Sequence, residues 1–178
     1  MGYDVVRVVA YDPSWATMGE QAIAEVRAAL RDVVACVEHI GSTAVPGLAA
    51  KPIIDVMAST ARLDDVARRA PALAAIDFQP RDSGMPGRLL FVRAAGAVRI
   101  HHLHIVTTTG WETRNQRLFR DYLRTHPAAV QRYASLKLQL AAGRATSVQY
   151  TEAKTALIQE LTDAARRERG LQAGPVWE

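Results

Sequence analysis

Residues 39–55, HIGSTAVPGLAAKPIID, constrain the fold of this chain more than any other stretch. They connect two apolar runs, VVACVEHI and PIIDVMA, which are typical of buried strands. The glycines and prolines between these runs predict a loop over 41–50. A glycine–serine turn follows the first strand, and an aspartate, Asp55, lies on the second. Backbone N–H groups and a carboxylate are therefore expected at one place. This combination favours a site for phosphate together with a metal ion.

The rest of the sequence predicts an α+β fold in which a mixed sheet of about five strands is flanked by helices. Strands are predicted at VVRVVAYD, at the two runs around the loop, and in a hairpin, RLLFVRAAGAVRIHHLHIV, that turns at Ala95 and Gly96. A helix, LDDVARRAPALAAI, is expected to break or bend at Pro71. Three further helices are predicted after Gly110, and the last eight residues, 171–178, are expected to be frayed.

These patterns favour a single domain over 1–178, with a sheet-containing core at about 1–109 and a helical part at about 110–170 packed on it. Two of the predicted C-terminal helices carry a lysine, Lys137 or Lys154, four residues after a tyrosine. This spacing is typical of amphipathic packing in which the lysine stems lie along the surface. Contact of the two ammonium groups with a nucleotide or an acidic substrate is the alternative interpretation.

Composition predicts a soluble cytoplasmic protein that binds a small anionic molecule. No apolar run is long enough to span a membrane, and the start, MGYDVVRVVAYD, lacks the pattern of a signal peptide. The net charge of +4 favours anionic ligands, but with an aromatic content of only 6% it argues against nucleic acid as a partner. The single cysteine, Cys36, cannot form an internal disulfide and is expected to be a buried core residue. The sequence leaves the oligomeric state open.

Five motifs, HIGSTAVPGLAAKPIIDV, HHLHIV, FRDYLRTHP, YASLK and YTEAK, occur in this order, and through them the chain resembles the GrpB family over about residues 6–165. The resemblance implies a nucleotidyltransferase fold. In that superfamily the glycine–serine turn holds nucleotide phosphates, and strand carboxylates hold Mg²⁺, which bridges the phosphates and neutralises developing charge. A similar module also follows dephospho-CoA kinase in some chains, which makes a CoA-like ligand an alternative to a nucleotide.

The resemblance implies roles for the residues of this loop and strand. Asp55 is expected to hold a divalent metal, Mg²⁺ or Mn²⁺, and to be catalytic together with Lys51, which neutralises phosphate charge. Gly41, Ser42 and Thr43 are expected to bind the phosphates of a nucleoside triphosphate substrate. The alternative is a structural turn with Asp55 as a buried, hydrogen-bonded carboxylate. Because an unpaired carboxylate in an apolar strand costs stability, the Asp55→Asn variant is expected to be more stable than the wild type without ligand.

A methionine and two histidines set this sequence apart from its superfamily. Enzymes that resemble DNA polymerase beta usually carry a second acid at the position of Met57. The neighbouring strand offers His102 and His104, which point to the same face because side chains alternate along a strand. With Asp55 they predict a metal site that also suits Zn²⁺. Hydrogen-bonded histidines that bind phosphate or orient the loop are the equally supported alternative. His39 is expected either to join this cluster or to cap the end of its strand.

A third set of candidate residues lies on the first C-terminal helix. Arg117, Asp121 and Arg124 are spaced i, i+4 and i+7, so they form one stripe along the helix. Asp121 is expected to pair with both arginines and to hold them as a guanidinium clamp for phosphate or carboxylate. Solvated salt bridges that contribute little to stability are the alternative.

The leading hypothesis is a nucleotidyltransferase-like protein that binds a nucleoside triphosphate and a divalent metal and transfers a nucleotidyl group to a small-molecule acceptor. Because the second acid is missing, a non-catalytic module that binds a nucleotide or a CoA-like ligand is the second hypothesis. A metal-dependent hydrolase that uses Asp55, His102 and His104 is the third. The sequence does not decide whether the protein is an enzyme, nor which nucleotide, acceptor or metal it uses.

Overall fold

The computed structural model describes residues 6–177 of the chain, which form an α+β fold. Within this range the strands are β1 (Cys36–Ile40), β2 (Ile54–Thr60), β3 (Gln79–Arg81), β4 (Arg88–Ala95) and β5 (Val98–Thr107). The helices are α1 (Ser14–Leu30), α2 (Leu63–Arg68), α3 (Ala70–Ala74), α4 (Asn115–Thr125), α5 (Pro127–Ala142) and α6 (Ser147–Glu168). Short 3-10 turns lie at Arg31–Val33, Ser42–Ala44 and Trp111–Thr113. The expected fold class, a mixed sheet flanked by helices, is confirmed, and so are the three helices after Gly110.

All five strands belong to one sheet with the order β1-β2-β5-β4-β3. β2 and β5 are parallel, whereas the other neighbouring pairs are antiparallel. A parallel pair needs a crossover connection, and the chain between β2 and β5 supplies α2, α3, β3 and β4. This pairing matters for the site because it places Asp55 opposite His102 and Met57 opposite His104.

The fifth strand of the sheet is not the one that the sequence predicts. Of the predicted strand VVRVVAYD, the described residues 6–12 contribute one isolated bridge, from Val9 to Ala50, and residue 5 lies outside the described range. Its place in the sheet is taken by β3, whose residues are all exposed and therefore show no apolar alternation in the sequence. The predicted hairpin of β4 and β5 is confirmed, with a turn through Gly96 at φ +60°.

The chain divides into two compact units, each with its own apolar packing. The sheet unit comprises Pro13–Ala44 and Ile53–Glu112. In this unit α1 packs against β1 and β2, because its apolar side chains recur at helical spacing and form one stripe. The buried members of that stripe include Trp15, Ala22, Val26 and Leu30. A second apolar cluster in the sheet unit consists of Ile40, Met57, Val106 and Trp111.

The helical unit comprises, among the described residues, 6–12, Val45–Pro52 and 113–177. Its core consists of Val45, Leu48, Leu123, Ala129, Tyr133, Ile158, Leu161 and Val176. The expectation that the C-terminal residues are frayed is wrong for 171–177, because Val176 is only 5% exposed. Asn115 Nδ2 donates to the Pro175 carbonyl at 2.9 Å, and Gln159 Oε1 accepts from the Val176 N–H at 2.9 Å. Residue 178 lies outside the described range.

Three further expectations concern the helix across Pro71, the burial of Cys36 and the absence of membrane-spanning segments. The helix predicted across Pro71 is observed as two short helices that meet at Arg69, with Pro71 in the first turn of α3, where its missing N–H costs no hydrogen bond. Cys36, which is expected to be buried, is only half-buried at the margin of the cluster around Met57. None of the helices in residues 6–177 combines the length and the apolar character needed to cross a membrane.

Candidate metal site

Asp55 and two histidines meet on one face of the central parallel strand pair. Because side chains alternate along strands, Asp55 of β2 and His102 and His104 of β5 project from the same face. His102 Nδ1 lies 3.0 Å from Asp55 Oδ1, and His104 Nε2 lies 4.0 Å from the same oxygen. One ligand atom from each side chain lies within 4.8 Å of the other two. The structure therefore brings the three residues together, and their role as metal ligands stays a prediction.

The carboxylate of Asp55 is paired, which corrects the expectation that it lacks a partner. Burial raises the pKa of Asp55, but the hydrogen bond from His102 and the charges of His102, His104 and His39 outweigh burial, so the pKa lies below its usual value of 3.8. Asp55 is consequently ionised at neutral pH, in contact with the ring of His102. The reason for expecting a more stable Asp55→Asn variant, an unpaired charge, does not hold.

The hydrogen bonding and protonation of the two imidazoles bear on whether they can bind a metal ion. His102 Nε2 and His104 Nδ1 are buried and make no hydrogen bond within the described part of the chain. Burial lowers the pKa of His104 to about 4, although the charge of Asp55 acts in the opposite direction. The ring of His104 is therefore neutral at pH 7, which is the form that binds metals.

The three side chains fit one divalent metal ion. Two ligand atoms that lie about 2.1 Å from a tetrahedral ion are about 3.4 Å apart. The separations from Asp55 Oδ1 to the nitrogens of His102 and His104, 3.0 and 4.0 Å, bracket that value. One carboxylate oxygen with two imidazole nitrogens is a donor set that suits Zn²⁺ and other transition metals better than Mg²⁺.

Gly41 brings the backbone directly against the carboxylate of Asp55. Its φ of +72° is a conformation that glycine adopts without strain. A Cβ built on Gly41 would lie 2.5 Å from Asp55 Oδ2, so no larger residue fits unless the carboxylate moves. A 3-10 turn, Ser42–Ala44, follows at once, and the Ala44 N–H donates to the Gly41 carbonyl at 3.2 Å. The glycine turn and the strand carboxylate are thus in contact, as the sequence pattern indicates.

His39 and Thr43 serve the opposite face of the sheet. The β1–β2 register places His39 one residue out of phase with Asp55, so its ring lies on the side of α1. His39 Nε2 lies 2.9 Å from Thr43 Oγ1, and that hydroxyl donates to the Ile53 carbonyl at 3.0 Å. The Thr43 hydroxyl would have to leave these partners to reach a phosphate, and its role in phosphate binding stays a prediction.

Sequence reasoning missed one residue that supports this arrangement. Gly19 of α1 is buried against the ring of His39, and a Cβ at this position would overlap the imidazole. Glycine inside a helix costs about 1 kcal/mol relative to alanine, so its presence needs a packing reason. A single glycine within the apolar periodicity of α1 is the signal in the sequence that points to such a contact.

Met57 is the residue that stands where the family resemblance leads us to expect a second acid. It lies two residues after Asp55, opposite His104, and is completely buried in an apolar cluster. A carboxylate in this position would lose that packing and enter an apolar environment. Within residues 6–177, Asp55, His102 and His104 are the one group of three or more potential ligands close enough to hold a metal ion.

The remaining predicted site residues, Lys51, Arg117, Asp121 and Arg124, belong to the helical unit. The carboxylate of Asp121 is ion-paired with Arg120 at 2.8 Å and with Arg169 at 3.4 Å. Arg124 is exposed and lines an open groove of about 560 Å³ beside apolar side chains of α4 and α5. The clamp that the helical stripe predicts, and the phosphate contacts of Lys51, Arg117 and Arg124, stay predictions.

Fold and site together define a class of protein: an α+β protein whose mixed sheet presents one aspartate and two histidines as a candidate metal site. The sequence model of the GrpB protein family matches residues 5–164, and the chain belongs to the GrpB family. The family expected from the motifs is confirmed.

Three relatives show the extent of the similarity. The UPF0157 protein YqkA of Bacillus subtilis is 32% identical over 164 residues, which cover 91% of this chain and 48% of YqkA. A UPF0157 protein of Pseudomonas aeruginosa is 33% identical over 97% of this chain and 74% of its own length. The crystal structure of the conserved protein GrpB from Enterococcus faecalis matches with a TM-score of 0.85 and 32% identity, and covers 92% of this chain and 99% of that chain. The chain thus spans about half the length of YqkA.

Proposed function

We propose that this protein is nucleotidyltransferase-like: it binds a nucleoside triphosphate with a divalent metal at Asp55 and transfers a nucleotidyl group to a small-molecule acceptor. One observation carries the proposal. The carboxylate of Asp55 contacts both the histidines of β5 and the backbone turn at Gly41. Such a carboxylate suits a ligand in which a metal and a phosphate are joined. The family resemblance supports the same assignment, because the superfamily holds both groups at this turn.

Each candidate residue has a role in this proposal. Asp55, His102 and His104 hold the metal ion, which when bound neutralises charge on the phosphates. Gly41 and Ser42 bring backbone groups to the phosphates, as turns of this kind do in anion sites. Three positive side chains of the helical unit stay predictions of the sequence as phosphate ligands: Lys51, Arg117 and Arg124.

A second candidate function is a non-catalytic module that keeps the nucleotide and metal site. The observation that favours it is Met57, which is fully buried where a second acid would be expected. Transfer with two metal ions needs carboxylates that serve both of them, and the cluster in the described residues contains one carboxylate. The two candidates share the binding step and differ only in the chemistry that follows.

Thermal unfolding tests the binding step. Wild type, Asp55→Asn and Asp82→Asn are compared with each nucleoside triphosphate in Mg²⁺, Mn²⁺, Zn²⁺ or EDTA. Asparagine at 55 can still accept a hydrogen bond from His102, but it removes the anionic oxygen. Asp82 is the matched control, because its exposed side chain accepts from the Gly84 N–H at 2.9 Å, as an asparagine also can.

We expect metal-dependent stabilisation of wild type and Asp82→Asn by about 2.7 kcal/mol when the nucleotide is at 100 times its Kd. Asp55→Asn should show almost none of it. Equal ligand-induced shifts in all three proteins would show that Asp55 is not a metal ligand.

Pyrophosphate release separates the two candidate functions. In transfer, an acceptor oxygen or nitrogen forms a bond to the α-phosphorus and pyrophosphate leaves. The protein is therefore incubated with α-labelled nucleoside triphosphates and a set of small hydroxyl and amine acceptors. Labelled product and pyrophosphate that depend on metal and are lost in Asp55→Asn support transfer. Metal-dependent binding without pyrophosphate release supports the binding module.

A further inference from the structure

The side chain of Thr43 connects the glycine turn to the strand that carries Asp55. Thr43 lies two residues after Gly41, and Ile53 lies two residues before Asp55. The Thr43 hydroxyl donates to the Ile53 carbonyl at 3.0 Å, and Thr43 is only 2% exposed. Residues 45–52, which lie between these two in the sequence, belong to the helical unit. One buried hydrogen bond therefore joins the points at which the chain leaves and re-enters the sheet unit.

The same hydroxyl determines which ring nitrogen of His39 carries a proton. A threonine hydroxyl has one proton to donate and two lone pairs that accept. Because the proton of Thr43 goes to the Ile53 carbonyl, the contact of 2.9 Å between Thr43 Oγ1 and His39 Nε2 needs an N–H on the ring. His39 therefore donates from Nε2, and two consecutive hydrogen bonds link its ring through the hydroxyl to the backbone of β2.

Packing against α1 holds the ring of His39 at the other end of this link. Gly19 leaves room for the imidazole, because a Cβ at this position would overlap its ring atoms. Helix α1 in turn packs against β1 and β2. The hydroxyl of Thr43 thus has a fixed partner on each side. The glycine turn that precedes Thr43 is consequently tied to the helix as well as to β2.

The two oxygens of the Asp55 carboxylate have different surroundings. Oδ1 lies 3.0 Å from His102 Nδ1 and 4.0 Å from His104 Nε2. Oδ2 faces Gly41, where a Cβ would lie only 2.5 Å from it. The glycine turn therefore limits the rotation of the carboxylate and keeps Oδ1 directed at the histidines. A shift of the turn would let the carboxylate rotate out of the geometry that suits one metal ion.

We propose that Thr43 and His39 are positioning residues of the metal site. Their hydrogen bonds hold Gly41 against Asp55 and so set the direction of the carboxylate oxygen that faces the histidines. This role rests on the proposed function, since it requires a metal ion at Asp55. It gives the Thr43 hydroxyl a task that needs no contact with phosphate. Replacing groups that orient a metal ligand typically weakens metal binding by about 10- to 100-fold.

Zn²⁺ affinity, measured by competition with a chromophoric chelator, tests this role. Thr43→Val removes the hydroxyl and keeps the shape of the side chain, whereas Thr43→Ser keeps the hydroxyl. Thr60→Val is the matched control. Thr60 is 1% exposed at the far end of the strand that carries Asp55, and its hydroxyl donates to the Val33 carbonyl at 2.6 Å. Asp55→Asn identifies which part of the Zn²⁺ binding belongs to this site.

We expect Thr43→Val to bind Zn²⁺ about tenfold more weakly than the wild type, and Thr43→Ser and Thr60→Val to bind within about twofold of it. Gly19→Ala should also weaken Zn²⁺ binding, because its Cβ displaces the ring of His39. This variant keeps the test decisive if Thr43→Val does not fold. Unchanged affinity in Thr43→Val, or an equal loss in Thr60→Val, would overturn the positioning role.

A second measurement does not need the metal. In the metal-free wild type, nitrogen NMR of the imidazole should show a proton on Nε2 of His39, and a ring protonated at Nδ1 alone would overturn the positioning role. Failure of the proposed function gives a different result. If Zn²⁺ binds no better to the wild type than to Asp55→Asn, the metal site is wrong and the positioning role fails with it. If Asp55→Asn loses Zn²⁺ binding while Thr43→Val keeps it, only the positioning role fails.

Discussion

The sheet unit and the helical unit each enclose an ionisable side chain. In the sheet unit its neighbours can carry the opposite charge, whereas in the helical unit the neighbouring group carries the same charge. In the sheet unit Asp55 contacts His102, and this pairing outweighs burial and lowers the pKa of the carboxyl. In the helical unit Lys137 lies near Lys154, so burial and like charge act together and lower the pKa of the amine to about 7. The pKa shifts have the same direction in the two units but different causes.

The same direction of shift has opposite consequences for charge. A lowered pKa keeps an acid ionised at pH 7, whereas it removes the charge of an amine as the pH rises. In the sheet unit Asp55 therefore stays ionised at neutral pH, which suits the binding of a cation. The helical unit holds an amine, Lys137, whose charge depends on pH. This difference is the physical basis for proposing a metal ion beside Asp55 and none beside Lys137.

The largest effect should come from removing the buried amine. Lys137→Met should raise the free energy of unfolding by about 2–4 kcal/mol at pH 6, because a charge no longer has to be buried. The folded pKa of about 7 lies below the unfolded value of 10.5, so the unfolded wild type binds more protons between these pH values and wild-type stability rises across this window. The advantage of the variant should therefore shrink from pH 7 to 10.5. Urea unfolding at several pH values measures this, and a constant difference would contradict a titrating Lys137.

Removal of the charge of Asp55 should act in the opposite sense. Asp55→Asn should lower the free energy of unfolding in EDTA by about 1–2 kcal/mol, because a hydrogen bond to a charged group is replaced by a weaker one to a neutral amide. Because the folded pKa of Asp55 is depressed, its contribution is present above the unfolded value of 3.8 and is lost as pH falls through the folded pKa. Urea unfolding at pH 7 and in acid should show a difference that disappears in acid. A more stable variant at pH 7 would break the comparison, because Asp55 would then behave like Lys137.

Two glycines in the loop allow a sharper test of the contact with Asp55. Gly41 and Gly47 have nearly the same φ, +72° and +77°, but a Cβ on Gly47 meets no atom within 4 Å. Gly47→Ala should therefore cost about 1 kcal/mol from backbone strain alone. Gly41→Ala should cost about 1 kcal/mol more, because its Cβ also displaces the carboxylate. If chemical denaturation gives the same loss of unfolding free energy for both variants, a Cβ at residue 41 does not displace the Asp55 carboxylate.

The smallest effect should come from an ion pair in contact with water. Arg132 and Glu160 are paired at 2.7 Å, but both side chains are more than half exposed. Water screens such pairs, so Arg132→Gln should change the melting temperature least among these variants. Raising the salt concentration should leave even that small difference unresolved. A change as large as that of Asp55→Asn would show that burial is not what distinguishes the two units.

Local patterns predicted much of the fold and of the candidate site. Strand alternation put His102 and His104 on one face, and the glycine–serine turn indicated where the backbone would approach Asp55. Apolar periodicity predicted the three C-terminal helices. Each of these features depends on residues that are close in the sequence, where spacing sets direction.

Other elements could not be predicted because their cause lies in distant residues. β3 has only exposed residues and exists because β4 offers it an edge to pair with. The C-terminal residues are ordered because Asn115 and Gln159 hold their backbone. The imidazole of His39 was open to two interpretations until the β1–β2 register placed it on the side of α1.

By itself the sequence determined which side chains share a strand face or a helix stripe, and so which chemistry each element could offer. Only the tertiary structure decided which charges meet. The parallel pairing of β2 with β5 gives Asp55 its contact with His102, and the packing of α5 and α6 encloses Lys137 near Lys154. The physical reason is that periodicity is local, whereas desolvation and charge pairing depend on segments far apart in the chain.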